Sequence, residues 1–222
     1  MLAEAVGFEP TEPCGSTVFK TAAFNHSATP PQFVLSRLRV YPKRVGCMLD
    51  SLGVRFIMAF MDDEKYMHLA IEEARRAATQ GEVPIGAVVV YEPIDPGTRR
   101  AMAEPRVIAA AGNTREQTRN PSAHAEFTAM LAAARELDAW RLTDCIVYVT
   151  LEPCIMCAGL MHQARIRRCV FGAHDPKAGA LGTLYRINED ERLNHVFEVT
   201  PGVLEQECAD LLRTFFKEKR KR

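Results

Sequence analysis

The sequence has no net charge: 28 Lys and Arg balance 28 Asp and Glu over 222 residues. That excludes a protein that is a polycation over its whole surface. No apolar run reaches the ~18–20 residues a membrane-spanning helix needs, so no membrane association is expected. The amino terminus is acidic and lacks an apolar core segment, so no secretory signal is expected. The seven cysteines are odd in number and irregularly spaced, which argues against a disulfide framework. Their use points to metal binding in a reducing, cytoplasmic compartment. No internal repeat is visible. What is present is a hydrophobic fraction of 47% and a charged fraction of 25%, the balance of a globular domain with a real core.

Residues 1–60 differ from the rest. Pro, Ser and Thr are scattered there without helical or strand periodicity. Two explanations compete: a poorly ordered amino-terminal extension, or a start assigned too far upstream. Gly7-Phe8-Glu9-Pro10 is what GGGTTCGAACCC spells, a stretch like the T-arm of a tRNA gene. Met58 and Met61 stand just before the first patterned element. The domain is therefore expected over 61–222.

Within it, Met67, Ala70, Ile71 and Ala74 recur at helical spacing, predicting a helix from Asp62 or Asp63 to about Gln80. Ile85–Val90 is a β-branched run fit for a strand covered on both faces. Tyr91–Pro105, with three prolines and a glycine, reads as an exposed loop. Val107–Ala111 is a second strand, expected to form a hairpin with the first. A helix follows at about 123–137, with Phe127, Met130, Leu131 and Ala134 facing inward. Strands are expected at 145–150, 168–172 and 196–200. A helix opens at Glu152-Pro153 and runs to about Ala164. A last helix runs from Leu204 to about Lys217, with Leu204, Cys208, Leu211, Leu212 and Phe215 on one stripe. This order implies an α/β fold, a five-stranded sheet between helical layers.

Two short stretches carry chemistry: His124-Ala125-Glu126 and Pro153-Cys154-Ile155-Met156-Cys157. One imidazole and two thiolates make a three-ligand zinc set that leaves the fourth tetrahedral position open. Glu126 is then a carboxylate free to move protons. The competing uses of a C-x-x-C pair are a redox couple or half of a structural zinc site. Cys145, Cys169 and Cys208 fall on expected strands or a helix stripe and read as buried small residues. On residue chemistry alone, Asn113 is equally a turn residue or a contact. Asp175 and Lys177 read as loop residues. Five of the last six residues are basic, a solvated end or a binding site.

The pattern H-x-E…P-C-x-x-C resembles that of the zinc nucleobase deaminases. From about Met61 onward the chain is similar to the bacterial tRNA-specific adenosine deaminases. The resemblance rests on Glu82–Val88, Gly112-Asn113, Ala123–Glu126, Thr150–Gly159, Ala164-Arg165-Ile166, Phe171-Gly172-Ala173, Asp175-Pro176-Lys177 with Gly179, and Leu193-Asn194-His195. It implies a three-layer α/β/α cytidine-deaminase-like fold with a mixed sheet. It implies deamination of adenosine to inosine at the wobble position of a tRNA anticodon, by water activated on zinc. The ligands would be His124, Cys154 and Cys157, with Glu126 as the proton shuttle. It further implies a homodimer whose RNA touches both subunits. By position, Asn113 matches a base contact, Asp175 and Lys177 a loop beside the anticodon, and Phe215 and Phe216 with the basic end a helix near the RNA. The loop 91–105 is longer than the family's usual turn. Two alternatives remain at this point: a deaminase of a free base or nucleotide, and a non-catalytic zinc-bearing RNA-binding subunit.

Overall fold

The computed structural model describes residues 51–98 and 100–221, with side chains from residue 63. The extension expected over 1–60 therefore lies outside the described residues up to residue 50, as do Cys14 and Cys47. The elements in order are α1 (Ser51–Thr79), β1 (Gly86–Tyr91), β2 (Arg106–Gly112), α2 (Arg115–Thr118), α3 (Ala125–Glu136), β3 (Cys145–Leu151), α4 (Ile155–Ala164), β4 (Arg168–Ala173), β5 (Glu198–Thr200) and α5 (Glu205–Lys219). A 3₁₀ turn spans Ile187–Glu189. The five strands form one mixed sheet in the order β2-β1-β3-β4-β5. β1 is antiparallel to β2 and β3; β3, β4 and β5 run parallel. Among the described residues, no helix is long and apolar enough to cross a membrane.

Strand residues alternate between two buried faces, as a period of two requires. Val89, Val147, Val149 and Phe171 pack against α3 and α4. Val88, Val90, Ile146, Tyr148 and Val170 pack against α1 and α5. The result is the expected three-layer α/β/α arrangement with both sheet faces covered. Cys145, Cys169 and Cys208 are all buried. At Gly86, a Cβ would overlap the Ala70 carbonyl and the Ala74 nitrogen of α1. A side chain there would push α1 off the start of β1.

Several boundaries differ from the sequence expectation. α1 begins at Ser51, eleven residues before the acidic pair expected to open it. No proline interrupts Ser51–Met61, and Asp63 does not serve a helix end. Its carboxylate is buried and accepts from Arg168 at 2.6 and 3.0 Å and from the Tyr148 hydroxyl at 2.8 Å. α3 turns Ala125, Ala129, Met130 and Ala133 inward, while Leu131 is 42% exposed and Phe127 only half-buried. β5 is shorter, Glu198–Thr200 rather than 196–200. α5 extends to Lys219, so Lys217 belongs to its last turn. On its stripe Cys208 is buried, and Leu204, Leu211, Leu212 and Phe215 are half-buried. The connection after Tyr91 folds back on the base of the sheet. Ile94 bridges Ala101, the Glu92 N–H donates to the Asp144 carbonyl, and the Glu92 carboxylate pairs with Arg167.

Candidate active site

α3 and α4 start side by side at the end of the sheet where β2 and β3 finish, and each starts on a candidate ligand. His124 is the N-cap of α3 and Cys154 the N-cap of α4; both have extended backbones, and neither side chain caps its own helix. Pro153 thus stands outside the helix it was expected to open. Cys157 is the third residue of α4. An N-cap imidazole and an N-cap thiol are free to face one another because the turns that carry them leave their side chains uncommitted.

They do face one another. His124 Nδ1 lies 3.7 Å from the Sγ of Cys154 and 3.7 Å from the Sγ of Cys157. One donor atom from each of the three residues lies within 4.8 Å of the others, so the group could hold a metal ion. Cys157 is buried; His124 and Cys154 are half-buried. The unpaired N–H groups of each first turn favour negative charge here. The hydrogen bond from Cys157 is the largest influence on Cys154 and pulls its thiol down to about 4. Cys157 is pushed up, first by serving as that donor and then by burial. The hydrogen bond to Cys154 raises His124.

Glu126, the second residue of α3, is 4% exposed. Its Oε2 is buried with no hydrogen-bond partner among the described residues. Burial pushes its carboxyl above the ordinary range. An unpartnered buried carboxyl oxygen is costly unless something else meets it.

The remaining candidates sit at graded distances in the chain of contacts. Asn113 ends the β1–β2 hairpin and is 5% exposed. The next residue ties it to the cluster, since the Thr114 N–H donates to the carbonyl of Ala123, the residue before His124, at 3.1 Å. Asp175 and Lys177 lie in the loop after β4. That loop reaches the cluster through a bridge between Gly179 and Cys154 and through the Ala180 N–H, which donates to the Pro153 carbonyl. The Lys177 side chain has no partner among the described residues; the Asp175 carboxylate accepts from the Lys177 N–H at 2.9 Å. Phe215 and Phe216 are not brought into the cluster. They belong to the layer of α1 and α5, where Phe215 faces Ala78 and Pro84 and Phe216 is 43% exposed.

Two carboxylates that organise this end of the sheet were not singled out from sequence. Glu82, fully buried, accepts from the Asn113 side chain at 3.0 Å and from the Gln117 N–H at 2.7 Å. Glu152, 2% exposed, accepts from the N–H groups of Asp175, Leu181 and Thr183 at 3.1, 3.1 and 3.0 Å, and from the Thr183 hydroxyl. Glu82 stands two residues before Pro84, at the entry to β1, and Glu152 directly before Pro153, at the exit of β3. A glutamate so placed is the signal that marks them.

A family model of MafB19-like deaminases matches residues 61–220. The chain is 46% identical over 160 residues to a tRNA-specific adenosine deaminase of Bacillus subtilis, covering 72% of this chain and 92% of that one. It is 41% identical to the tRNA-specific adenosine deaminase of Haemophilus influenzae, covering 71% and 85%. The chain belongs to the tRNA-specific adenosine deaminase family. A solved structure from work on A-to-I editing by tRNA:A34 deaminases superimposes with a TM-score of 0.58 at 40% identity. It covers 67% of this chain and 99% of that one. The deaminase family's fold is the mixed five-stranded sheet described above, and the His124, Cys154, Cys157 group lies inside the matched region.

Proposed function

We propose that this chain hydrolyses the exocyclic amine of adenosine at the wobble position of a tRNA anticodon, giving inosine and ammonia, with zinc held by His124, Cys154 and Cys157. The observation that carries the reading is the pairing of three convergent soft donors with an unpartnered buried oxygen of Glu126 beside them. Zinc with nitrogen at about 2.0–2.1 Å and sulfur at about 2.3 Å in tetrahedral geometry separates the two ligand atoms by about 3.5 Å. The observed 3.7 Å separations fit that donor set. Bound zinc supplies the Lewis acidity that makes water a nucleophile near neutral pH.

Glu126 moves the protons. Its Oε2 accepts one from the attacking water and passes it to the ring nitrogen next to the reacting carbon; it then takes the proton of the added hydroxyl as the carbonyl forms and delivers it to the amine, which leaves as ammonia when the C–N bond breaks. The raised carboxyl suits a group that must hold a proton between these steps. Asn113 hydrogen-bonds the base, which must leave its stack to reach the site. Asp175 and Lys177 flank the anticodon. Phe215, Phe216 and the basic residues from Lys217 onward meet the RNA backbone. The working unit is residues 61–222, assembled as a cytoplasmic homodimer.

The substrate class rests on relatives at 41–46% identity that are named tRNA-specific adenosine deaminases. The test is incubation of purified protein with a tRNA carrying adenosine at the wobble position, followed by sequencing. Inosine at that position alone is the expected result. Unchanged adenosine, with ammonia released from a free base or nucleotide instead, would assign the site to a small-molecule deaminase.

A further inference from the structure

We propose that Glu82 is a positioning residue that locks the Asn113 amide so that its carbonyl oxygen, not its NH2, is presented to the substrate. The proposal rests on the reading that Asn113 contacts the target nucleotide.

Glu82 follows α1 and is fully buried. Each of its two oxygens meets one donor: Oε2 accepts from Asn113 Nδ2, and Oε1 from the Gln117 N–H. Gln117 is the third residue of α2, whose N-cap Thr114 makes no side-chain cap bond. Glu82 supplies that missing cap from 35 residues away. The backbone reinforces the arrangement, because the Asn113 N–H donates to the Ile85 carbonyl at 2.9 Å. The Thr114 N–H in turn bonds the residue before His124. The segment 82–85, Asn113 and the start of α3 are thereby one unit. Within it, Asn113 Oδ1 makes no hydrogen bond among the described residues, so it is the atom left for a donor on the nucleotide.

Only a carboxylate satisfies this geometry, because it offers two acceptors and no donor. An amide in its place has one oxygen and one NH2. If its oxygen stays with Asn113, its NH2 opposes the Gln117 N–H. If its oxygen turns to Gln117, its NH2 meets Asn113. The Asn113 amide must then rotate, and a donor replaces the acceptor offered to the substrate.

The experiment compares the wild type with Glu82→Gln, Asn113→Asp and the double variant for inosine formation in a wobble-adenosine tRNA. Zinc content and thermal midpoint are measured alongside. Glu82→Gln should lower kcat/KM roughly 10- to 100-fold. Asn113→Asp should lose at least as much, because two carboxylates then face each other. The double variant should recover to within about 10-fold of the wild type. Its introduced amide caps Gln117 with oxygen and donates to the introduced carboxylate, whose other oxygen restores the acceptor. If Glu82→Gln alone does not fold, recovery of the double variant over Asn113→Asp still supports the lock. Unchanged activity in Glu82→Gln would overturn it, as would a folded, zinc-loaded double variant no better than Asn113→Asp. The Asn113 side-chain amide resonance reads the lock without substrate: it should move in Glu82→Gln, and an unmoved resonance would overturn the proposal. A wild type that leaves tRNA unchanged would contradict the substrate reading instead, and that outcome is seen before any variant is made.

Discussion

The carboxylate of Glu152 occupies the space that a Cβ on Gly179 would need. The two residues are 27 apart in sequence, yet the loop after β4 closes over Glu152 only because Gly179 has no side chain. Glu152 then collects three loop N–H groups. Gly179→Ala should force the carboxylate aside and leave those donors short of a partner. We expect a loss of about 1–3 kcal/mol, read by urea unfolding, and faster proteolysis between residues 174 and 187. An unchanged midpoint would show that the loop does not depend on this fit.

Glu126→Gln should keep the fold and zinc content while lowering turnover roughly 10²- to 10⁴-fold, because an amide cannot exchange the proton. Single-turnover rates on wobble-adenosine tRNA check this. A rate within a few-fold of wild type would remove Glu126 from the mechanism.

Asp63 and Arg168 join α1 to β4 away from the ligand cluster. Asp63→Ala strands the guanidinium beside Tyr148 and should cost about 3 kcal/mol. Turnover at a temperature where the variant is folded should stay near normal. A large drop in turnover at full folding would show that the layer of α1 is coupled to the site.

Chemistry was more legible in the sequence than the support that positions it. His124, Cys154 and Cys157 stand in short local spacings, and three-atom convergence follows once two helices start together. The Glu82–Asn113 contact spans 31 residues and the Glu152 clamp up to 31, with no periodicity to announce either. Strands could be read because β-branched residues run through β1 and β3, and Val170-Phe171 give β4 an apolar centre. α2, four residues long, is too short to show a helical period. On α3 the apolar bulk of Leu131 pointed inward by type, but the inner face is built of alanines that let α3 lie close to the sheet. The start of α1 is not legible because Asp63, a helix-end charge by sequence position, serves a buried ion pair with Arg168 instead.

Lys217 and Lys219 are part of the last turn of α5, with the Lys219 ammonium 5.6 Å from the Phe215 ring centre. Substitution is therefore a cleaner test of the basic end than deletion. Replacing Lys217, Lys219, Arg220 and Lys221 by Gln should weaken tRNA binding and flatten its salt dependence. The rate on saturating tRNA should hardly change, since phosphate contacts position the RNA and carry no base identity. Equal affinity and an equal salt slope would exclude this end from the RNA contact.

The most direct measurement gives one zinc-loaded preparation three substrates in parallel: free guanine, free adenosine, and an anticodon stem-loop RNA with adenosine at the wobble position. Products are read by mass spectrometry of nucleosides and bases. The account predicts inosine from the stem-loop, none from the same RNA with guanosine at that position, and no appreciable turnover of either free compound. Conversion of guanine with the stem-loop left intact would contradict it.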